Sequence, residues 1–302
     1  MFLVHDERSL RYSFKNHPFS SEKARRAGEI LIREGIVERL DAFEYPEEIL
    51  YLFHEYKYVS FVKNKSIDGR GYIDYGDTPA YPGIHQDALW VVRATLTAID
   101  TALERNDVAI NLNGGLHHAS RDHGSGFCVY NDVAIGISYL LNKGIKNILY
   151  VDIDAHHGDG VFYGFIDNPD VYIIDYHEDP RSLFPGTGYE YETGEGEAKG
   201  TKRNVIREPF STEIDMGELD DFVKGRSFNF IIMQIGADGL EGDPLTHLKY
   251  RIESYVKIVN KVFELSKKMC NKRLVLLGGG GYSIENSVKA YVKAIGSLVG
   301  YA

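Results

Sequence analysis

The sequence predicts a single α/β domain with a mostly parallel central β-sheet flanked by helices, on three observations. Short apolar runs of strand length alternate with longer amphipathic stretches, as βαβ units require. Glycine and turn residues gather after these runs in connections longer than βα loops usually are. No repeat at a fixed period, Pro/Ser-rich linker or abrupt change of composition divides residues 1–302, so one domain is expected to span them.

Strands are expected at Phe2–Val4, Val108–Leu112, Ile148–Ile153, Val171–Asp175, Phe230–Ile235 and Leu274–Leu277, each a brief apolar run. The stretches Asp87–Glu104, Asn131–Asn142, His247–Lys268 and Ile284–Leu298 carry apolar residues at three- and four-residue intervals, which predicts helices that cover the sheet. The long connections are Asn64–Gly83, Gly114–Gly126 and Leu183–Gly200. Open α/β sheets bind ligands beyond the carboxyl ends of their strands, so the residues after each strand hold the functional candidates.

Composition narrows the classes. Hydrophobic residues make up 43% and charged residues 26%, the balance of a globular chain with a sizeable core. A net charge of -10 disfavours nucleic acid and anionic membrane as partners and suits a cationic one. Two cysteines, Cys128 and Cys270, are too few for a disulfide scaffold and lack the paired spacing of a thiolate metal site. Charges inside MFLVHDERSL, where a signal peptide needs apolar residues, and the lack of a bilayer-length apolar run lead to a cytoplasmic expectation.

The strand ILYVDID runs into AHHGDG and places Asp152, Asp154 and His156 at alternate positions, which face one side of a strand. A catalytic zinc takes three oxygen or nitrogen ligands and leaves a fourth position open, and Asp238, at the end of FIIMQIGADG, completes a set with Asp154 and His156. An aspartate at a strand end more often caps the following helix, so the expectation rests on the set rather than on any one residue. His117 and His118 follow the strand VAINLNGG, and imidazole titrates where proton transfer needs it. Asp152 and Asp159 flank the ligand pair and could each orient one of these histidines. LLGGGGYS brings Tyr282 to the sheet edge as a donor to a developing oxyanion; the run lacks the ending of a P-loop and the spacing of a dinucleotide fingerprint.

Together GLHHA, GFCVYND, VDIDAHHGDG, FPGTG, QIGADGLEGDP and LGGGGY resemble the ordered motif set of the zinc-dependent histone deacetylase family. YSFKNHPFSSEKARRA and YGDTPAYPG are most similar to its prokaryotic acetoin-utilisation deacetylase-like branch. The resemblance implies an arginase-deacetylase fold and hydrolysis of N-ε-acetyl-lysine. It implies zinc on Asp154, His156 and Asp238, although divalent iron or cobalt suits the same ligands. It further implies His118 as general base and acid, His117 as its electrostatic partner, Asp152 orienting His117, Asp159 orienting His118, and Tyr282 polarising the acetyl carbonyl. Gly126, Phe127 and Phe184 match the walls of a narrow tunnel, and Asp77 matches a rim aspartate that holds substrate backbone. Core packing is the ordinary role of a phenylalanine considered alone; the flanking GFC and FPGTG favour the tunnel.

The substrate class implied is an acetylated protein or an acetylated amine, and an acetylpolyamine amidohydrolase would use the same chemistry. A binuclear arginase-like site would need further bridging carboxylates, where this chain reads DAHHGDG. A silent acetyl-lysine binding module would keep the pocket without turnover. Asp175 departs from the family pattern, standing where many members have a serine beside a buried monovalent-cation site such as one for potassium. Its carboxylate is expected either to strengthen cation binding or to share a proton with a neighbouring acid.

Overall fold

In a computed structural model that describes residues 1–301, eight parallel strands form one sheet. They are β1 (Phe2–Val4), β2 (Glu38–Leu40), β3 (Val108–Asn111), β4 (Ile148–Asp152), β5 (Val171–Glu178), β6 (Lys202–Arg207), β7 (Phe230–Gln234) and β8 (Leu274–Leu277). The helices are α1 (Glu22–Arg33), α2 (Tyr56–Asp68), α3 (Ile84–Arg105), α4 (Asp132–Asn142), α5 (Asp159–Gly164), α6 (Met216–Val223), α7 (Ile252–Met269) and α8 (Ile284–Ser297). The strand order is β2-β1-β3-β8-β7-β4-β5-β6. The chain winds outward to β6 and then returns to lay β7 and β8 between β3 and β4, so four separated segments end side by side at the centre.

Period-two alternation divides each central strand between two cores. Ile148 and Tyr150 of β4 pack with α2, α3 and α4, while Leu149 and Val151 pack with α1, α6, α7 and α8. All six predicted strands and all four predicted helices are present, with ends shifted. β4 stops at Asp152, β5 continues to Glu178, α3 starts at Ile84 behind Gly83, and α7 starts at Ile252 rather than His247. Within the predicted connection Asn64–Gly83, the first residues belong to α2, which ends on left-handed Gly69.

Two strands escaped prediction, and both are sheet edges. ERL in β2 and KRNVIR in β6 are rich in charge, as edges that must not recruit further strands often are. Helix α1 escaped for a related reason: half of EKARRAGEILIR is charged, and its buried apolar stripe is limited to Ala24, Ala27 and Leu31, with Ile30 and Ile32 partly buried beside it. Among the described residues, no helix is long and apolar enough to cross a membrane.

Candidate metal centre and hydrolytic site

The carboxyl ends of β4 and β7, neighbours in the sheet, bring Asp154, His156 and Asp238 together. Their ligand-capable atoms lie within 4.8 Å of one another and all three residues are buried. His156 Nδ1 is 3.1 Å from Asp154 Oδ1 and 2.9 Å from Asp238 Oδ2. One ring N–H cannot point straight at two carboxylates, so the three donors aim at a common centre. These separations are near the ~3.3 Å that ~2.0–2.1 Å tetrahedral bonds would give. Backbone amides take the remaining oxygens: Gly280 N donates to Asp154 Oδ2 at 2.7 Å and Ala155 N to Asp238 Oδ1 at 2.8 Å. A Cβ at Gly280 would run into both carboxylates, which explains a glycine there.

Charge supports the same reading. Burial alone would lower His156, but Asp154 and Asp238 raise it to about 10; burial and the Asp154 charge raise Asp238 to about 7. Near neutrality the cluster holds a proton in place of a cation, and a divalent ion would displace that proton. The residues therefore fit a zinc-class ion. Asp152 does not join this triad, because β4 ends on it and its carboxylate turns to His117.

Two His–Asp pairs stand beside the triad. His117 Nδ1 and Asp152 Oδ2 are 2.8 Å apart, His118 Nδ1 and Asp159 Oδ1 are 2.7 Å apart, and the two Nε2 atoms meet at 3.0 Å. Tyr150 adds a hydroxyl donor to Asp152 Oδ2 at 2.6 Å. Burial lowers both imidazoles, but Asp152 and Asp154 lift His117 to about 9, whereas the charge on His117 helps push His118 down to about 4. One ring is thus an imidazolium and the other neutral. With Asp159 accepting from Nδ1–H, the lone pair of His118 lies on Nε2.

Above these groups is a cavity of about 220 Å³ lined by Asp77, His118, Gly126, Phe127, His156, Leu183, Phe184, Leu245 and Tyr282. Phe127 holds a left-handed backbone (φ 69), rare for a bulky residue. Three bonds pin it: Tyr12 hydroxyl to the Phe127 carbonyl (2.5 Å), Val129 N to the same hydroxyl (3.1 Å), and Phe127 N to Thr78 Oγ1 (3.1 Å). A Cβ on Gly126 would press into the rings of His118 and Phe184. Phe184 is 44% exposed and so stands at the mouth rather than in the core. Tyr282 packs edge-on to Phe127 and His156, and burial with the nearby carboxylates keeps its phenol protonated as a donor.

The profile of the histone deacetylase domain matches residues 17–298. The chain belongs to the histone deacetylase family. Among curated relatives, the acetoin utilization protein AcuC of Bacillus subtilis (strain 168) is 36% identical over 295 residues, covering 89% of this chain and 74% of that protein. The AcuC protein of Staphylococcus aureus (strain MRSA252) is 31% identical over 305 residues, covering 93% and 77%. A solved HDAC homolog complexed with SAHA superposes with TM-score 0.86 at 28% identity, covering 100% of this chain and 84% of that one. The HDA15 HD domain gives TM-score 0.88 at 23% identity, covering 99% and 89%, a likeness of fold alone. The chain is thus a deacetylase-family hydrolase of the AcuC-like prokaryotic branch.

The residues expected to hold metal, move protons or line the substrate tunnel of this family member lie at the triad, the dyads or the cavity wall. Sequence reasoning missed Leu183 and Leu245, which complete the apolar wall and carry no chemical signature. It also missed two supports of the Gly-rich loop. Asp243 Oδ2 accepts from Tyr282 N at 2.7 Å, and buried Lys23 donates to the carbonyls of Gly279 (2.7 Å) and Gly281 (3.0 Å). The GLEGDP run could have revealed Asp243; a lysine on a charged helix gives no such hint. The expectation that Asp175 shares a proton with a neighbouring acid is not met, because its carboxylate is paired with His177 at 2.8 Å.

Proposed function

We propose that this chain removes acetyl groups from N-ε-acetyl-lysine in proteins, using one zinc ion on Asp154, His156 and Asp238. The observation that carries the reading is an aromatic-walled cavity lined by His118, His156 and Tyr282, in which His156 belongs to the buried triad and His118 contacts Asp159 and the His117–Asp152 pair. Phe127 and Phe184 suit the methylene stem of a lysine whose charge acetylation has removed. Asp77 at the rim suits the substrate backbone.

A zinc ion bound there supplies Lewis acidity to the amide carbonyl and makes water a nucleophile near neutral pH. Tyr282 donates a hydrogen bond from its hydroxyl to the acetyl oxygen as negative charge develops. His118, neutral and oriented by Asp159, accepts the proton of the attacking water through Nε2. It then returns that proton to the departing amine. His117, held positive by Asp152, stays in place as a fixed charge that favours the oxyanion.

The test is acetate release from an acetyl-lysine peptide by metal-stripped protein before and after one equivalent of zinc, with acetylspermidine run in parallel. Zinc-restored turnover that prefers the peptide supports the reading. A higher specificity constant for acetylspermidine replaces protein with small amine as the substrate, and binding without acetate release makes the chain a recognition module.

A further inference from the structure

Behind the cavity lies a second buried histidine assembly that the proposed chemistry does not use. His177 on β5 is fully buried, as is Asp175 two residues before it. Asp175 Oδ1 lies 2.8 Å from His177 Nδ1, and Asp175 Oδ2 accepts from Gly158 N at 2.9 Å. Gly158 is in the turn between His156 and Asp159, so the carboxylate grips the segment that carries one triad residue and one dyad residue. On its other side, His177 Nε2 lies 2.8 Å from the carbonyl of Gly188. Gly188 ends the loop that begins with Phe184 at the cavity mouth, and His157 Nδ1 holds the same loop through Thr187 Oγ1 at 2.9 Å.

The proton count decides what this chain of contacts is. A carbonyl oxygen only accepts, so Nε2 must carry a proton. Asp175 receives two donors, the Gly158 amide and the His177 ring, which is the environment of a carboxylate and requires a proton on Nδ1 as well. We infer that His177 is a positioning residue, a doubly protonated imidazole that braces the Phe184–Gly188 loop against the Gly158 turn through Asp175. The charged and titratable groups facing it are Asp175 on its own strand, Asp179 just past the strand end, Asp152 on β4 and His157 from the turn; Gly188 contributes a carbonyl. Burial opposes its charge, and the Asp175 contact overcomes this and raises it above the ordinary histidine value. When pH passes that range, the ring keeps one proton and must release either the loop or the carboxylate.

Both parts can be measured without turnover, so the result does not depend on the proposed reaction. In full-length protein labelled with nitrogen-15 histidine, His177, assigned by comparison with His177→Gln, should show both ring nitrogens protonated at pH 7; a neutral-ring signature overturns the inference. Amide exchange of residues 183–190 and 156–163, corrected for intrinsic rate, should quicken together by roughly tenfold in His177→Gln. Asp175→Asn can donate its amide to a neutral ring and accept from Gly158, so it should keep both segments protected on both sides of the parent ring's titration, located from its nitrogen-15 signals, whereas the parent loses protection above it. Unchanged exchange of 183–190 in His177→Gln, or parent and Asp175→Asn behaving alike above the ring's titration, overturns it.

Discussion

The two His–Asp pairs beside the triad have the same chemical parts and opposite states. In the inner pair Asp152 is fully buried and accepts from His117, from Tyr150 and from Asp154 N. In the outer pair Asp159 opens helix α5, and its side chain is 18% exposed. Burial lowers both imidazoles, but the inner one sits among Asp152 and Asp154 and rises to about 9, while the outer one adjoins that new positive charge and falls to about 4. In the mechanism we propose, role follows from surroundings: the positive ring stabilises negative charge and the neutral ring takes a proton.

The comparison breaks most directly by deleting each ring. His118→Ala should cost about 10²- to 10⁴-fold in kcat, the worth of a positioned general base. His117→Ala should cost nearer tenfold, because it removes a fixed charge and leaves the proton acceptor in place. Steady-state kinetics on an acetyl-lysine peptide, with zinc content measured for each variant, would check this. If the His117 variant were the more damaged, the two roles would have to be exchanged.

Opposite shifts also give the pairs opposite signatures in stability, best read on metal-stripped protein. His117 is held above the unfolded value near 6.5, so its contribution is complete below that pH and disappears as pH rises through about 9. His118 is held below it, so its neutral burial is favourable above 6.5 and the benefit is lost as pH falls toward about 4. Each effect is on the order of 3 kcal/mol. Denaturation across pH should show His117→Asn flattening the alkaline side and His118→Asn the acid side. Either variant flattening the other's side would mean that the two pairs are not distinguished as described.

What was legible in the sequence follows from which physical signals are local. The central strands are buried on both faces and read as unbroken apolar runs, so β3, β4, β7 and β8 were visible. The edges β2 and β6 were not, since a charged edge strand has no apolar run to see. In the site, Asp154 and His156 announce themselves by their proximity in sequence. Lys23 and Asp243 act from far along the chain through backbone carbonyls and amides, and only the fold reveals that they touch the Gly-rich loop. The opposed states of His117 and His118 were likewise invisible, since adjacent identical residues differ only in the carboxylates the fold brings to them.

The finest test of the comparison is Tyr150→Phe, which alters only the inner pair. Tyr150 is fully buried on β4 and donates to the same Asp152 oxygen that faces His117. Phenylalanine fills the same space, so the loss is one hydrogen bond to a carboxylate, about 1 kcal/mol in a denaturation midpoint. Burial already raises Asp152 to about 6, and losing this donor raises it further, which weakens its hold on the charge of His117 at pH 7. Activity on the acetyl-lysine peptide should therefore fall about fivefold, with the acid limb of kcat/KM moved to higher pH. A variant that lost the expected stability but kept kcat/KM and its pH profile would show that the charge on His117 has no part in the chemistry, leaving the outer pair to act alone.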